Sequence, residues 1–232
     1  MVVWQLFWTD IGASREQAGF VTALGEEWDE PLTVDALLQE VEDPANTVNV
    51  LSEEQMRTDD APVPSRAAIA ETFATIYVPR WGENYVKPIS EGVSRARVLD
   101  PKGIGHYPDT ELPGQVGNFA IAGHRTTYGK PFTDIQTLKT GDAIVIRTEG
   151  VWYVYEVTDS YIVKPNYIQA IRPDPYAPTA APTKRYLTLT TCHPRYSAAE
   201  RYIVHAELSY WAAVEDGVPP EIVGSATVQE AS

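Results

Sequence analysis

The sequence predicts a mostly β domain, a closed or nearly closed antiparallel barrel or sandwich with short helices, preceded by an acidic, partly helical stalk. Three observations carry this expectation. From about Ala67 the chain becomes a series of short runs rich in Val, Ile, Tyr, Thr and Phe, punctuated by Gly, Pro and Asp. Those runs leave little room for helix between them, the pattern of a barrel or sandwich. Before Ala67 the balance of charge differs: residues 1–66 hold 14 acidic and 3 basic side chains, the remainder 18 and 15.

The chain opens with Met1-Val2-Val3-Trp4-Gln5-Leu6-Phe7-Trp8 and turns polar at Thr9-Asp10. Eight helical residues rise about 12 Å, against a bilayer core of about 30 Å. With neither a basic n-region nor a cleavage site, the stretch is not expected to be a complete signal peptide, and two tryptophans at the edge of an apolar run resemble an aromatic belt. Residues 1–10 are therefore expected to be the outer end of a transmembrane helix whose start is missing; a short apolar element of the domain is the alternative. Residues 11–66 read as an acidic stalk and linker. Within them Val34, Leu37, Leu38 and Val41 follow Thr33 at helical spacing, with Pro44 beyond, and Phe20, Val21, Leu24 and Trp28 form a second stripe. These short helices are expected to sit in a solvated stalk rather than dock on the domain.

The β domain spans 67–213, with runs at Phe73–Val78, Asn118–Ala122, Ala143–Thr148, Val151–Val163, Tyr186–Thr191 and Arg201–Leu208. Pro79 closes the first. Short helical turns are expected at Asp134–Leu138 and Asn166–Ile171, and residues 214–232 read as a loosely ordered tail.

At 232 residues the chain has room for one ordinary domain with appendages. A net charge of -14 and a pI near 4.6 argue against nucleic-acid binding, which needs a basic surface. One cysteine excludes an internal disulfide framework and a thiolate-only metal cage.

That cysteine, Cys192, ends the run Tyr186–Thr191 and is followed by His193-Pro194, which puts the thiol at a strand mouth. Arg201, nine residues on, suits a hairpin with Cys at the end of one strand and Arg at the start of the next; a nearby guanidinium favours the reactive thiolate. Of the four histidines, His205 lies inside a strand run and reads as structural. His193, adjacent to the cysteine on an extended chain, diverges from it. His106 and His124 remain. His124 follows Gly123 where a strand opens into a loop, the more usual place for a site residue.

Thr188-Leu189-Thr190-Thr191-Cys192 resembles the TLxTC signature of the sortases, the cysteine transpeptidases of Gram-positive surfaces. Asn118 to His124 is similar to the family's histidine segment, and Arg201 falls at the family's arginine. Gly105-His106-Tyr107-Pro108, Gly123-His124-Arg125-Thr126-Thr127-Tyr128-Gly129 and Thr191-Cys192-His193-Pro194 together resemble class E, the actinobacterial housekeeping group. The likeness covers about residues 68–211 and implies a closed barrel of about eight strands. It implies Cys192 as nucleophile, His124 as general acid/base and Arg201 as the group that positions substrate and steadies the oxyanion. Thr191 would supply a hydroxyl or backbone N–H to developing charge. Tyr107 would contact the second residue of a sorting motif, with LAXTG preferred over LPXTG. Tyr128 and His193 belong to the class pattern without an assigned role. No metal or organic cofactor is expected.

The resemblance further implies cleavage of a sorting signal between Thr and Gly and transfer of the protein to a peptidoglycan amine, on the outer side of a membrane reached through the N-terminal helix. Two other readings stay open: pilin polymerisation with a lysine acceptor, and a non-catalytic barrel that binds peptides at the cell surface. An L,D-transpeptidase also uses Cys and His, but His124-Arg125 does not fit its motifs.

Overall fold

The computed structural model describes residues 2–28, 32–39 and 49–227; Val41 and Pro44, expected at the end of the second helix, and the last residues of the tail lie outside them. Eight strands close a barrel: β1 (Thr72–Tyr77), β2 (Val86–Glu91), β3 (Ile104–His106), β4 (Gly117–Gly123), β5 (Ala143–Arg147), β6 (Val151–Val163), β7 (Arg185–His193) and β8 (Glu200–Ala213). Their order around the barrel is β1-β2-β3-β4-β7-β8-β6-β5, with β5 returning to β1. The sequence expectation of an antiparallel barrel is corrected at two seams, because β2 pairs with β3 and β4 with β7 in parallel. A parallel pair needs a crossover rather than a tight turn; between β4 and β7 the chain runs out through β5 and β6 before coming back.

Alternation along each strand sorts the side chains. Ile76, Ile89, Phe119, Ile121, Ile144, Ile146, Leu187, Leu189 and Val204 fill the interior, each no more than 1% exposed. On β7 the opposite parity, Tyr186, Thr188, Thr190 and Cys192, faces outward. His205, on the outward face of β8, is buried all the same, between the Thr188 hydroxyl at 2.8 Å from Nδ1 and the Tyr161 hydroxyl at 2.7 Å from Nε2. Desolvation lowers its pKa to about 4, only partly offset by Asp159.

The acidic front segment packs on the barrel. Helix α1 (Val2–Trp28) runs unbroken through Asp10, and Val21 and Leu24, the stripe seen in the sequence, are buried with Leu32 beside Val86. Helix α2 (Val34–Gln39) is capped by Thr33, whose Oγ1 accepts from the Ala36 N–H at 3.3 Å. Val34 and Leu37 cover an outer barrel face made by Tyr77, Val145, Trp152, Val154 and Tyr210. Residues 49–66 also lie against the wall: Arg57 bridges to Trp211, Val50 to Val218, and the Tyr153 hydroxyl donates to Pro62 O at 2.7 Å. The solvated stalk expected from acidity therefore does not hold for these elements, because their apolar stripes meet an aromatic outer wall that would otherwise face water. No helix among the described residues is long and apolar enough to cross a membrane.

In the tail, α4 (Pro220–Thr227) brings Ile222 onto the same outer face, and the Tyr210 hydroxyl donates to Glu221 at 2.6 Å. Short 3₁₀ turns occur at Ile135–Thr137 and Ile168–Ile171, inside the two expected windows.

Leu24→Ala is expected to lower stability by about 2–3 kcal/mol, the usual cost of truncating a buried leucine; chemical denaturation measures it, and a wild-type midpoint would mean that α1 is not docked in solution. His205 gives a second expectation. Its folded pKa lies below the unfolded value of 6.5, so the unfolded chain takes up the proton first. Stability should therefore fall as pH drops from about 6.5 to about 4, by up to about 3 kcal/mol in all. Thermal unfolding of wild type and His205→Gln across that window checks it, since the variant should lose this part of the acid limb.

Candidate active site

Parallel pairing of β4 with β7 sets the geometry. Gly117 lies opposite Arg185, and the register holds through Ala122 opposite Thr190. Carried two residues further, it brings His124 abreast of Cys192. The parity is right as well: 120, 122 and 124 share the outward face with 188, 190 and 192. Thr191 Oγ1 donates to Gly123 O at 2.7 Å, which ties the two strand ends together. On the other side of β7, Cys192 is the antiparallel partner of Arg201 on β8, the hairpin relation the spacing suggests.

These residues border one groove of about 760 Å³, lined among others by Tyr107, His124, Arg125, Thr190, Cys192 and Arg201. Ala122 and Gly123 form part of its floor, small side chains that leave the space open. All five site residues expected from the sequence, Cys192, His124, Arg201, Thr191 and Tyr107, line it. Cys192 is a free, partly exposed thiol. Arg201 is anchored by one end only: Nη1 donates to Ala198 O at 3.0 Å and Glu200 O at 2.9 Å, and Nε and Nη2 make no hydrogen bond to described residues. Thr191 differs from expectation in one respect. Its hydroxyl is engaged with Gly123 O and is not free to face a developing charge.

Tyr107 reaches across β4 to β7, its hydroxyl 3.0 Å from Thr190 Oγ1. When the Thr190 hydroxyl donates to Ile121 O, 3.3 Å away, the Tyr107 O–H is the donor of that pair. The lone pairs of its oxygen remain to accept an N–H.

Burial and partners separate His106 from His124. The His106 ring is fully buried, with Nδ1 2.7 Å from a Glu91 carboxylate oxygen and Nε2 near Glu111 O and Thr110 Oγ1. Both nitrogens are engaged, and Glu91 is itself bridged by Arg66 at 3.3 Å. His193 is likewise occupied: its Nδ1 accepts from Arg125 Nη1 at 2.7 Å. That guanidinium also donates to Gln136 Oε1 at 2.8 Å, and burial, with the charge of Arg195 as a lesser cause, lowers its pKa. Arg125 thus steadies the chain just past the cysteine from below. His124 has only one side occupied. Its Nε2 lies 2.7 Å from Asp100 Oδ1, and its ring centroid is 5.2 Å from that of Tyr128, the two rings tilted by 34°.

Asp100, Arg125 and Thr190 were not singled out by the sequence reading. Thr190 lay within reach of it, since it shares strand parity with Cys192. Asp100 did not, because its approach to His124 depends on how the β2–β3 connection folds over a distant strand end.

A family model described as the sortase domain matches residues 76–209, more than half of the chain. Sortase SrtE1 of Streptomyces coelicolor is 34% identical over 157 residues, 65% of this chain and 44% of its own length. Sortase SrtE2 of the same organism is 32% identical over 63% of this chain and 60% of its own. The chain thus spans about half of the length of the curated relatives it matches. Among solved structures, the SrtA sortase from Actinomyces oris superposes with a TM-score of 0.68 at 43% identity, over 72% of this chain and 95% of that one. Sortase E from Streptomyces avermitilis gives 0.61 at 39% identity, over 67% and 99%. On its barrel, its matched domain and these likenesses, the chain belongs to the sortase family, and within it resembles class E.

Proposed function

We propose that the protein cleaves a sorting signal of LAXTG or LPXTG type between Thr and Gly and joins the new carboxyl end to a peptidoglycan amine. The observation that carries this reading is the convergence of thiol, imidazole and guanidinium on one open groove, with Cys192 between His124 on one side and Arg201 on the other. The Cys192 thiolate attacks the Thr carbonyl carbon and a C–S bond forms. The negative charge moves to the carbonyl oxygen, which the unengaged N–H groups of Arg201 stabilise. As the C–N bond breaks, the His124 imidazolium gives its proton to the departing glycine amine. The acceptor amine then attacks the thioester and yields a proton to the neutral imidazole, and the thiolate leaves. Water in place of the amine gives hydrolysis.

Tyr107 is the specificity element of this proposal. With its O–H donated to Thr190, its oxygen accepts the backbone N–H of an alanine at the motif's second position. Proline has no such N–H. A desolvated oxygen left without a partner costs about 1–3 kcal/mol, a preference of roughly five- to more than a hundredfold for LAXTG. The protein acts outside the cell, tethered through its N-terminal helix, on surface proteins that carry the signal; no nucleic acid takes part.

Incubation with LAXTG and LPXTG peptides plus an amine, scored by mass, tests the reaction directly. Cys192→Ala should abolish both cleavage and transfer with the barrel intact, and unimpaired cleavage by it would sink the reading. His124→Ala and Arg201→Ala should each be severely inactive at wild-type melting temperature. Arg201→Lys should also be poor, since a point charge does not reproduce a planar fork. His106→Ala should instead lose activity together with stability, by about 1–3 kcal/mol, because Glu91 keeps Arg66 but loses its hydrogen bond to the buried ring. Equal melting temperatures for His106→Ala and wild type would remove that distinction. Tyr107→Phe should narrow the ratio of kcat/KM between the two peptides; an unchanged ratio means the hydroxyl does not read the second position.

A further inference from the structure

We infer that Asp100 is a positioning residue for His124, and that the turn carrying it is held in place by helix α1. The inference rests on the reading of His124 as the acid–base group. Asp100 sits where the π-helical turn Arg95–Leu99 passes into a single α turn, Asp100–Lys102, a local geometry that recurs at functional sites. Its carboxylate has two candidate partners. Arg95 Nε is 3.6 Å away on a side chain 69% exposed, a pairing worth little in water. His124 Nε2 is 2.7 Å away, and both of these groups are sheltered, 14% and 23% exposed. A carboxylate there accepts Nε2–H, so the proton of the neutral imidazole is fixed on Nε2 and the lone pair on Nδ1 is left for the reaction. The Tyr128 ring, 5.2 Å off and inclined by 34°, limits rotation of the imidazole from its face.

Both restraints lead back to one side chain of α1. Gln17 is fully buried, and its Nε2 donates to Tyr128 O at 2.8 Å. It lies between Gly103, which follows Asp100's turn, and Gly129, which follows Tyr128. A Cβ at Gly103 would come within 2.7 Å of the Gln17 amide and one at Gly129 nearer still, and with φ of +91° and +73° a side chain at either place would be strained as well as displacing the amide. Lys102 adds a contact, its ammonium 3.8 Å from the Phe20 ring centroid, and Lys130 pairs with Asp10 at 3.3 Å. The front helix thus braces the two segments that orient the histidine.

The test uses the full chain with an LAXTG peptide and an amine, comparing wild type, Asp100→Ala and Asp100→Asn. The alanine variant should lose about ten- to a hundredfold in kcat, part of what positioned acid–base catalysis supplies. Its KM should stay within about threefold, because Asp100 does not line the groove. Asparagine keeps an acceptor oxygen and should recover part of kcat. Two-bond ¹H–¹⁵N spectra of the imidazoles should show His124 as the Nε2–H tautomer in wild type and as a mixture in Asp100→Ala. An alanine variant with wild-type kcat, or one whose kcat falls while the tautomer pattern stays put, overturns the inference. A wild type that turns over no peptide would remove the proposed reaction instead, and the spectra alone would then decide on Asp100.

Discussion

The parallel seam between β4 and β7 is the constraint on which the groove depends. Two strands related in this way keep a constant offset, and here the offset makes residue 124 the neighbour of residue 192. A slip by one residue would turn His124 toward the barrel interior and leave the thiol facing a glycine. The buried interior opposes such a slip, since Phe119 and Ile121 on one strand and Leu187 and Leu189 on the other would have to move outward together. The hydrophobic core thereby fixes a distance between two polar groups that never enter it. The Thr191–Gly123 hydrogen bond closes the seam at the groove end, where the ladder itself has stopped.

Beneath the groove lies a second, polar layer of support. Buried Glu91 on β2 joins buried His106 on β3 to the exposed Arg66 in the segment ahead of the barrel. Thr110 joins it to the loop after Tyr107, donating to Tyr107 O at 2.8 Å. The residue that borders the groove thus follows a strand only three residues long, held by its ladders to β2 and β4, by the buried Ile104 and by the His106–Glu91 contact. Networks of this kind are costly when half-satisfied and rigid when complete. Here every member has its partner.

The sequence made the strands with strong β-branched and aromatic texture readable: β6 begins and ends at the expected residues, and β4 and β5 are off by one at most. It hid β2 and β3. Pro88 interrupts the texture of β2, and β3 is three residues with a glycine at its centre. The two parallel seams were invisible for a different reason, because strand direction is decided by crossovers and not by local pattern. In the site, the thiol, imidazole and guanidinium were legible from motif and strand ends. Residue spacing alone left His106 close behind His124, and it took the burial of His106 against Glu91 to part them. The acidity of residues 11–66 misled, since a helix can be acidic on one face and still bury Val21 and Leu24 on the other.

Gln17 and Tyr128 stand 111 residues apart in the chain. A contact that distant closes a very long loop, and contacts of that kind are made late in folding, after the local hairpins have formed. The barrel wall, the β7–β8 hairpin and the strand mouth that carries Cys192 can all be in place while α1 is still undocked. Docking of α1 is then a late event, one of several long-range closures, and it steadies the imidazole. Such an order gives a chain that is nearly complete in shape before its groove is complete, with Cys192 in place while the imidazole beside it is not yet braced by the front helix.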